Sequence, residues 1–345
     1  MKIKERLFGV LSGGEKVRLF TISNSDMSFS VTNFGCTITS IILPSRSGRK
    51  DDITLGFSTL EGYVNNRSNF GCIVGRFANR IGNAEFNLNG KTYSLDKNIE
   101  GKHTLHSGWS GYDARLWEPE LVETKDSAGV RFSLLSENGD QGFPGNLTME
   151  VTYLLNKHNE IEMHYRAKTD RDTPVNLTNH SYFNLRGSGR GTILDHEISL
   201  NCDSTLEVDE NWIPTGKLLP VEGTAWDFRT PKTIGQDIAQ TPAGGYDECF
   251  VVNRSKGKLS VCANVHEPVS GRRMIAATNQ PGVQFYTGNY LSGIVGKLGV
   301  PYEKQGGFCL ETQQFPDAPN KPEFPDSILH AGEVLEAVTV YGFSW

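Results

Sequence analysis

The stretch EFNLNGKTYSL at residues 85–95 decides the fold class of this chain. Apolar side chains alternate with polar ones on both sides of the pair Asn89-Gly90. An Asn-Gly pair between two alternating runs is a strong short-range signal of a β-hairpin, because both turn positions need a positive φ. The stretch therefore predicts two antiparallel strands joined by a two-residue turn.

The same period of two recurs along the chain. Residues 147–155 and 161–167 alternate in this way around a short polar loop, which predicts a second hairpin. Windows with a helical period are few, and 37 glycines and 15 prolines supply turns. The pattern predicts an all-β, antiparallel sandwich or barrel. Further strand-like runs lie at residues 27–44, 130–135, 175–185, 250–253, 283–287, 308–313 and 334–343. The proline-rich residues 315–325 are predicted to be an ordered surface loop.

Length and composition limit the possible classes of protein. The 345 residues fit one large all-β domain, and a composition with 37% hydrophobic and 21% charged residues is typical of a soluble globular chain. The formal net charge of −6 comes from interspersed signs, so no basic stripe favours nucleic acid or an anionic membrane. We therefore predict one domain over residues 1–345, with no nucleic-acid or membrane partner.

Cysteine usage bears on the compartment. The six cysteines are scattered singly, without the clustering of a disulfide scaffold or of a C-x-x-C metal pair. The apolar stretch near the N-terminus is too short for a secretory signal. These features favour buried, reduced thiols and a cytoplasmic protein.

A polar row marks the segment PVNLTNHSYFNL at residues 174–185. Read as a strand, its even positions place Asn176, Thr178, His180, Tyr182 and Asn184 on one face, opposite apolar odd positions. A row of hydrogen-bonding groups centred on a histidine suits a sugar, which carries many hydroxyls. A histidine taken alone is equally compatible with a structural role.

The segment GFCLETQ at residues 307–313 repeats this geometry. Phe308 and Leu310 share one strand face and Glu311 lies on the other. A carboxylate within an apolar strand is costly to bury unless it has partners or a task. By itself Glu311 also fits an ordinary exposed or ion-paired glutamate.

A metal site has little support in the sequence. His103 and His106 have a spacing that would put both on one face of a helix, but Gly101 and Gly108 indicate a loop. No H-E-x-x-H or Cys-His cluster accompanies them. We predict a polar contact role for these histidines and no metal.

Several long motifs resemble the aldose 1-epimerase (galactose mutarotase) family. They occur in order along the chain as GRFANRI at 75–81, the pair Leu105-His106, NLTNHSYFNL at 176–185, QPGVQFYTGN at 280–289, GFCLETQ at 307–313 and FPDAPNKPEFP at 315–325. The resemblance implies a large antiparallel β-sandwich, the galactose mutarotase-like supersandwich, with an open concave sugar-binding cleft. Ser107 departs from the family, which often has glycine after the Leu-His pair.

The resemblance also implies roles for individual residues. Glu311 is similar to the family's general base, and His180 to its general acid. The sugar-binding partners are implied at Asn79, Arg80, His106, Asp247 and Gln284. No cofactor is implied.

The implied reaction is the interconversion of the α and β anomers of a free aldohexose such as D-galactose or D-glucose. It needs one group to remove the proton of the C1 hydroxyl and another to protonate the ring oxygen. At neutral pH the pair Glu⁻ and HisH⁺ requires nearby negative charge to raise the pKa of His180, with Glu311 and Asp247 as candidates.

Two alternatives stay open at this point. A glycoside hydrolase or lyase on a similar sandwich would normally use two carboxylates that flank the bond. A non-catalytic carbohydrate-binding protein would keep the hydroxyl contacts without an acid or a base. The sequence leaves the preferred aldose open, and it fits either a monomer or a homodimer.

Overall fold

The computed structural model describes residues 1–65 and 68–345. Strands dominate these ranges. In chain order they are β1 (Lys2–Val10), β2 (Lys16–Ser23), β3 (Ser28–Thr32), β4 (Thr37–Pro44), β5 (Lys50–Asp52), β6 (Ile73–Val74), β7 (Arg80–Ile81), β8 (Glu85–Leu88), β9 (Lys91–Ser94), β10 (Thr104–Leu105), β11 (Glu118–Glu123), β12 (Ser127–Ser136), β13 (Leu147–Asn156), β14 (Glu160–Thr169), β15 (Thr173–Pro174), β16 (Thr178–Asn179), β17 (Glu197–Leu200), β18 (Cys202–Val208), β19 (Pro214–Pro220), β20 (Lys232–Thr233), β21 (Asp247–Val252), β22 (Ser260–His266), β23 (Arg273–Thr278), β24 (Gly282–Tyr286), β25 (Cys309–Gln313), β26 (Ile328–Leu329) and β27 (Val334–Ser344).

Helical structure is confined to short pieces in the described ranges. The α-helix α1 covers Leu60–Asn65. Turns of 3₁₀ helix lie at Gly82–Ala84, Tyr112–Ala114, Asp140–Gly142, Ile238–Gln240, Lys297–Gly299 and Ala318–Asn320. In the part of the chain that the structure describes, no helix is long and apolar enough to cross a membrane.

Both predicted hairpins are present. Strands β8 and β9 pair with Leu88 opposite Lys91, and Asn89 and Gly90 form the turn with φ values of 51° and 76°. These positive φ values explain why the sequence has Asn-Gly at this point. Strands β13 and β14 pair from Leu147 opposite Thr169 to Leu155 opposite Ile161.

Three large antiparallel sheets organise the chain. One sheet has nine strands in the order β11-β12-β13-β14-β27-β23-β22-β17-β20. A second runs β1-β2-β3-β4-β5, and a third runs β19-β18-β21-β24-β25. This third sheet is called the β25 sheet below.

The nine-stranded sheet packs its inner face against both five-stranded sheets. In β14 buried residues alternate with partly exposed or exposed ones, as expected for a sheet with one face in the core. Its Met163 shares one buried apolar cluster with Phe29 of β3 and Phe285 of β24. Packing of sheet faces through such a core defines a sandwich, so the predicted all-β sandwich is confirmed.

The prediction of a continuous strand over residues 175–185 is wrong. Only the two residues of β16 are a strand there, and the neighbouring amides bond to separate segments. Asn176 N–H donates to the Arg76 carbonyl at 3.0 Å, whereas Phe183 N–H donates to the Phe308 carbonyl at 2.7 Å. Because the partners lie in different loops, the alternation of residue types does not form one ladder.

Two other sequence predictions change in detail. The run at 27–44 divides into β3 and β4, because Gly35 and Cys36 have positive φ values of 66° and 50°. The loop at 315–325 contains a 3₁₀ turn, and Phe315 packs against Phe324 with ring centroids 5.1 Å apart. Both rings belong to a buried cluster that also contains Phe77, Phe86 and Leu206, so the loop packs onto the body of the domain.

Candidate active site

The β25 sheet supplies one wall of the candidate site. Gln284 of β24 lies directly opposite Glu311 of β25, and Asp247 of β21 lies opposite Tyr286 of β24. The Gln284 amide nitrogen donates to Asp247 Oδ1 at 2.8 Å. The register therefore brings three predicted residues from three neighbouring strands onto one surface.

A pair of very short strands supplies another wall. Arg80 of β7 pairs with Leu105 of β10, so the predicted residues Asn79 and His106 flank the pair. Both have left-handed backbones, with φ values of 66° and 53°. Asn79 N–H donates to His106 Nδ1 at 3.1 Å, so the neutral imidazole carries its proton on Nε2. Burial, with His180 and Arg80 nearby, holds the pKa of His106 well below its ordinary value and keeps the ring neutral.

His180 and Glu311 meet in the interior. His180 Nε2 lies 3.5 Å from Glu311 Oε1, and the two residues are 6% and 2% exposed. The other ring nitrogen, Nδ1, lies 3.5 Å from Cys309 Sγ. The ring stacks on Tyr182 with centroids 5.0 Å apart. The imidazole is therefore fixed on three sides.

These residues border one cavity of about 210 Å³, called the Glu311 cavity below. Every residue that the resemblance implied lines it. They are Asn79, Arg80, His106, His180, Asp247, Gln284 and Glu311. The structure thus brings together side chains from distant parts of the sequence.

Unpaired polar atoms distinguish this cavity. Glu311 Oε2 and Arg80 Nε are buried and have no hydrogen-bond partner among the residues that the structure describes. Buried polar atoms without partners are uncommon in proteins, because each costs about 1–3 kcal/mol. An acceptor and a donor left open in this way fit a ligand with hydroxyl groups, which can donate to one and accept from the other.

Burial sets the protonation of the central pair. It lowers the pKa of His180 to about 4, and it raises the pKa of Glu311 well above its ordinary value, an effect that Asp247 adds to and Arg80 opposes. The expectation that nearby negative charge raises the pKa of His180 is wrong, because desolvation by burial is the largest effect and lowers it. Between the lowered pKa of His180 and the raised pKa of Glu311 the pair therefore holds one titratable proton, and burial favours its place on the carboxyl group.

A metal ion fits this cluster poorly. Ligand atoms of His180, Cys309 and Glu311 lie within 4.8 Å of one another. However, opposite ring nitrogens face the carboxylate and the thiol, so one ion on one nitrogen does not complete the set. Burial also raises the pKa of the Cys309 thiol well above its ordinary value, which opposes the thiolate that a metal needs. The arrangement suits proton transfer better.

Sequence reasoning missed part of the lining. Asn69, Tyr290, Leu291 and Ile294 border the cavity and come from loops without a motif of their own, and Tyr286 lies in the motif at 280–289 but was given no role. Cys309 was interpreted only as a buried thiol. Its position two residues before Glu311 on the same strand face could have indicated its contact with His180.

The departure at Ser107 is accommodated locally. Its hydroxyl accepts the Phe77 N–H at 2.6 Å and donates to the Phe77 carbonyl at 3.1 Å. These bonds anchor the loop that carries His106. The departure therefore leaves His106 in the cavity.

The family model described as Aldose 1-epimerase matches residues 18–342. This chain belongs to the aldose 1-epimerase family. A rat protein named galactose mutarotase is 45% identical over 100% of this chain and 99% of its own length. The Escherichia coli aldose 1-epimerase is 36% identical over 96% of each chain. The predicted enzyme class, an aldose 1-epimerase, is confirmed, and the alternatives of a hydrolase or a non-catalytic module lose their support.

Solved structures agree with the fold. An aldose epimerase homologue from C. elegans superposes with a TM-score of 0.86 at 30% identity, over 94% of this chain and 98% of that one. A galactose 1-epimerase from Lactobacillus acidophilus gives a TM-score of 0.86 at 26% identity, over 99% and 98%. The galactose mutarotase-like sandwich is thus the fold of this family member.

Proposed function

We propose that this aldose 1-epimerase acts on free aldohexoses such as D-galactose and D-glucose, with Glu311 as the general base and His180 as the general acid. The observation that carries the proposal is the 3.5 Å approach of His180 Nε2 to Glu311 Oε1 in the Glu311 cavity. Both groups are buried there beside unpaired donors and acceptors. A sugar placed against the pair would present its C1 hydroxyl and its ring oxygen to them.

The reaction conserves protons. Glu311 takes the proton of the C1 hydroxyl while the bond between C1 and the ring oxygen breaks, and His180 gives its proton to that oxygen. The product is the open-chain aldehyde. Rotation about the C1–C2 bond turns the other face of the aldehyde toward the ring oxygen, and the reverse transfers close the ring to the other anomer.

The single proton of the pair suits this cycle. With the closed sugar it resides on His180, and with the aldehyde it resides on Glu311. Burial favours the second arrangement, and the positive charge of Arg80 favours the ionised Glu311 of the first. Since the net charge of the pair is the same in both, the transfer moves no charge out of the cavity.

The remaining polar residues would hold the sugar. Arg80 and the Nε2–H of His106 are donors, and the Asp247 carboxylate is an acceptor. Asn79 and Gln284 hold His106 and Asp247 through the hydrogen bonds described above. Such contacts fix the C1 hydroxyl and the ring oxygen relative to the acid and the base.

We further propose that residues 1–345 act as one domain, as a monomer or homodimer, in the cytoplasm. All six cysteines are buried and free, which supports a reducing compartment. Size-exclusion chromatography of the full chain would distinguish the two assemblies.

Polarimetry tests the proposed function. Freshly dissolved α-D-galactose and α-D-glucose should reach anomeric equilibrium faster in proportion to enzyme, after subtraction of the spontaneous rate. Methyl α-D-galactopyranoside is the control, because it lacks a free C1 hydroxyl and should not change. Acceleration for neither free sugar, or release of methanol from the control, would contradict the proposal.

A further inference from the structure

A larger cavity of about 860 Å³ adjoins the Glu311 cavity. It is called the Trp226 cavity, and Tyr290 lines both. Asp247 of β21 lines the Glu311 cavity, whereas the next residue, Glu248, points to the other face of the strand and lines the Trp226 cavity. The remaining lining comes from the hairpin β18–β19 and from the loops around Thr224 and Pro242. A ligand in the Glu311 cavity therefore has a second space beside it.

Aromatic rings border this space. Trp212, Trp226 and Tyr290 line it, and Tyr290 is 75% exposed. Trp212 lies in the turn between β18 and β19 with a φ of 62°, an unusual conformation for a bulky residue. Strained backbones of this kind concentrate at functional sites. Flat aromatic faces on a protein surface suit the C–H face of a pyranose ring, whose hydroxyls remain available at its edge.

Buried polar atoms lie among these rings. Glu248 is 8% exposed, and its Oε2 accepts the Asp247 N–H at 2.8 Å. The Trp226 indole nitrogen is buried beside this carboxyl group, and hydrogen bonding from Trp226 opposes the effect of burial on the pKa of Glu248. Burial also raises the pKa of Glu248 to about 7. A carboxyl group that faces an indole N–H still has acceptor sites for a ligand hydroxyl.

The charge of the lining excludes anionic ligands. Its ionisable side chains are Glu207, Asp209, Glu210, Glu248 and Tyr290, with no Lys, Arg or His among the described lining residues. A phosphate or nucleotide would meet like charge there. A neutral polyhydroxylated ligand would meet acceptors for its hydroxyls.

We propose that the Trp226 cavity is a second pyranose site, which takes the glycosyl unit of a reducing oligosaccharide whose reducing sugar occupies the Glu311 cavity. This inference rests on the proposed function of the Glu311 cavity. Its occupant is a linked sugar because the two cavities border the same side chain, Tyr290. A free monosaccharide has the same hydroxyl groups as the glycosyl unit of an oligosaccharide. The experiments below therefore distinguish a free sugar from a linked one in the Trp226 cavity.

Binding is tested by fluorine NMR of protein labelled with 5-fluorotryptophan. The chain has five tryptophans, which Trp→Phe variants assign one by one. Methyl β-cellobioside, which binds without changing anomer, should shift the resonances of Trp212 and Trp226. Trp117, which is fully buried in the core, is the internal control and should not shift. Absence of any shift at Trp212 and Trp226 with saturating glycoside would overturn the site.

Kinetics test whether the sugar is linked. We expect Trp226→Ala to raise the KM for cellobiose anomerisation about tenfold and to leave kcat and KM for D-glucose within about twofold, as loss of uniform binding predicts. Leu218→Ala is the matched control, because this exposed residue of β19 does not line the cavity. Trp212→Ala repeats the test if Trp226→Ala fails to fold, as judged by circular dichroism.

The outcomes separate the two claims. In one outcome, methyl β-D-glucopyranoside shifts the Trp212 and Trp226 resonances while Trp226→Ala and Trp212→Ala leave the KM for cellobiose unchanged. That result would show that the Trp226 cavity binds a free sugar and would overturn the proposal of a linked sugar. Failure of the wild-type protein to act on D-glucose would contradict the proposed function, while the NMR shifts would still decide the second site.

Discussion

Two buried polar regions of this protein differ in how fully their polar atoms are hydrogen-bonded. Arg272 is fully buried, and its guanidinium donates to the carbonyls of Pro44 and Leu185 at 3.0 and 2.8 Å and to Asp51 Oδ2 at 2.7 Å. In the Glu311 cavity, Glu311 Oε2 and Arg80 Nε have no hydrogen-bond partner within residues 1–65 and 68–345. The first region is complete in itself and holds loops together. The second region has an unpaired acceptor and an unpaired donor, with which the hydroxyl groups of a sugar would form hydrogen bonds.

This comparison predicts that substitutions in the first region lower the stability of the fold, whereas substitutions in the Glu311 cavity lower the activity. Loss of a saturated group leaves its former partners unpaired, so the fold weakens. Loss of an unpaired group in the cavity removes a ligand contact or a reacting atom and costs the fold little.

The largest effect should come from the reacting pair. We expect Glu311→Gln and His180→Asn each to lower the anomerisation rate by about 10²–10⁴, because neither replacement transfers the required proton. Thermal unfolding should stay near the wild-type value, since both replacements are close in shape. Polarimetry with α-D-galactose measures the rate, and circular dichroism checks folding. If folded Glu311→Gln kept a third of the wild-type rate, its role as base would have to be abandoned.

The opposite result should follow at the saturated site. Arg272→Met should lower the free energy of unfolding by about 3–5 kcal/mol, because the buried carbonyls and Asp51 lose their donor. The rate per folded molecule should remain that of the wild type. Chemical denaturation measures the first quantity and polarimetry below the unfolding transition the second. A stable but inactive variant would reverse the comparison.

Sugar contacts should have intermediate effects. Asp247→Asn and Arg80→Ala each remove a charge-assisted hydrogen bond to a hydroxyl, so we expect kcat/KM to fall roughly ten- to a hundredfold. Unfolding should change little, because Arg80 Nε has no partner to lose. Full activity in both variants would assign these residues a structural role.

The pH dependence should show the shared proton. Below about 4 His180 gains a proton while Glu311 keeps its own, so no base remains. Above the raised pKa of Glu311 the pair has lost its only proton, so no acid remains. The plot of kcat/KM against pH should therefore be bell-shaped, falling about tenfold per pH unit beyond each limit, and its apparent pKa values belong to the pair. A flat profile from pH 3 to 10 would contradict this.

Local patterns in the sequence predicted the elements whose partners are near in the chain. The hairpin at Asn89-Gly90 follows from two turn residues and their alternating neighbours. The segment around His180 does not form the predicted strand, because its amides bond to distant loops that no local pattern reveals. The site residues were found through family motifs. Their protonation depends on burial by the whole fold, which explains why the direction of the His180 shift was missed.

The most direct test of the account is whether Glu311 and His180 act as one unit. The double variant Glu311→Gln/His180→Asn should anomerise α-D-galactose scarcely more slowly than either single variant, because one proton transfer is of little use without the other. All three rates are measured by polarimetry with the spontaneous rate subtracted. A double variant whose loss equals the product of the two single losses would show independent contributions and contradict the shared-proton pair.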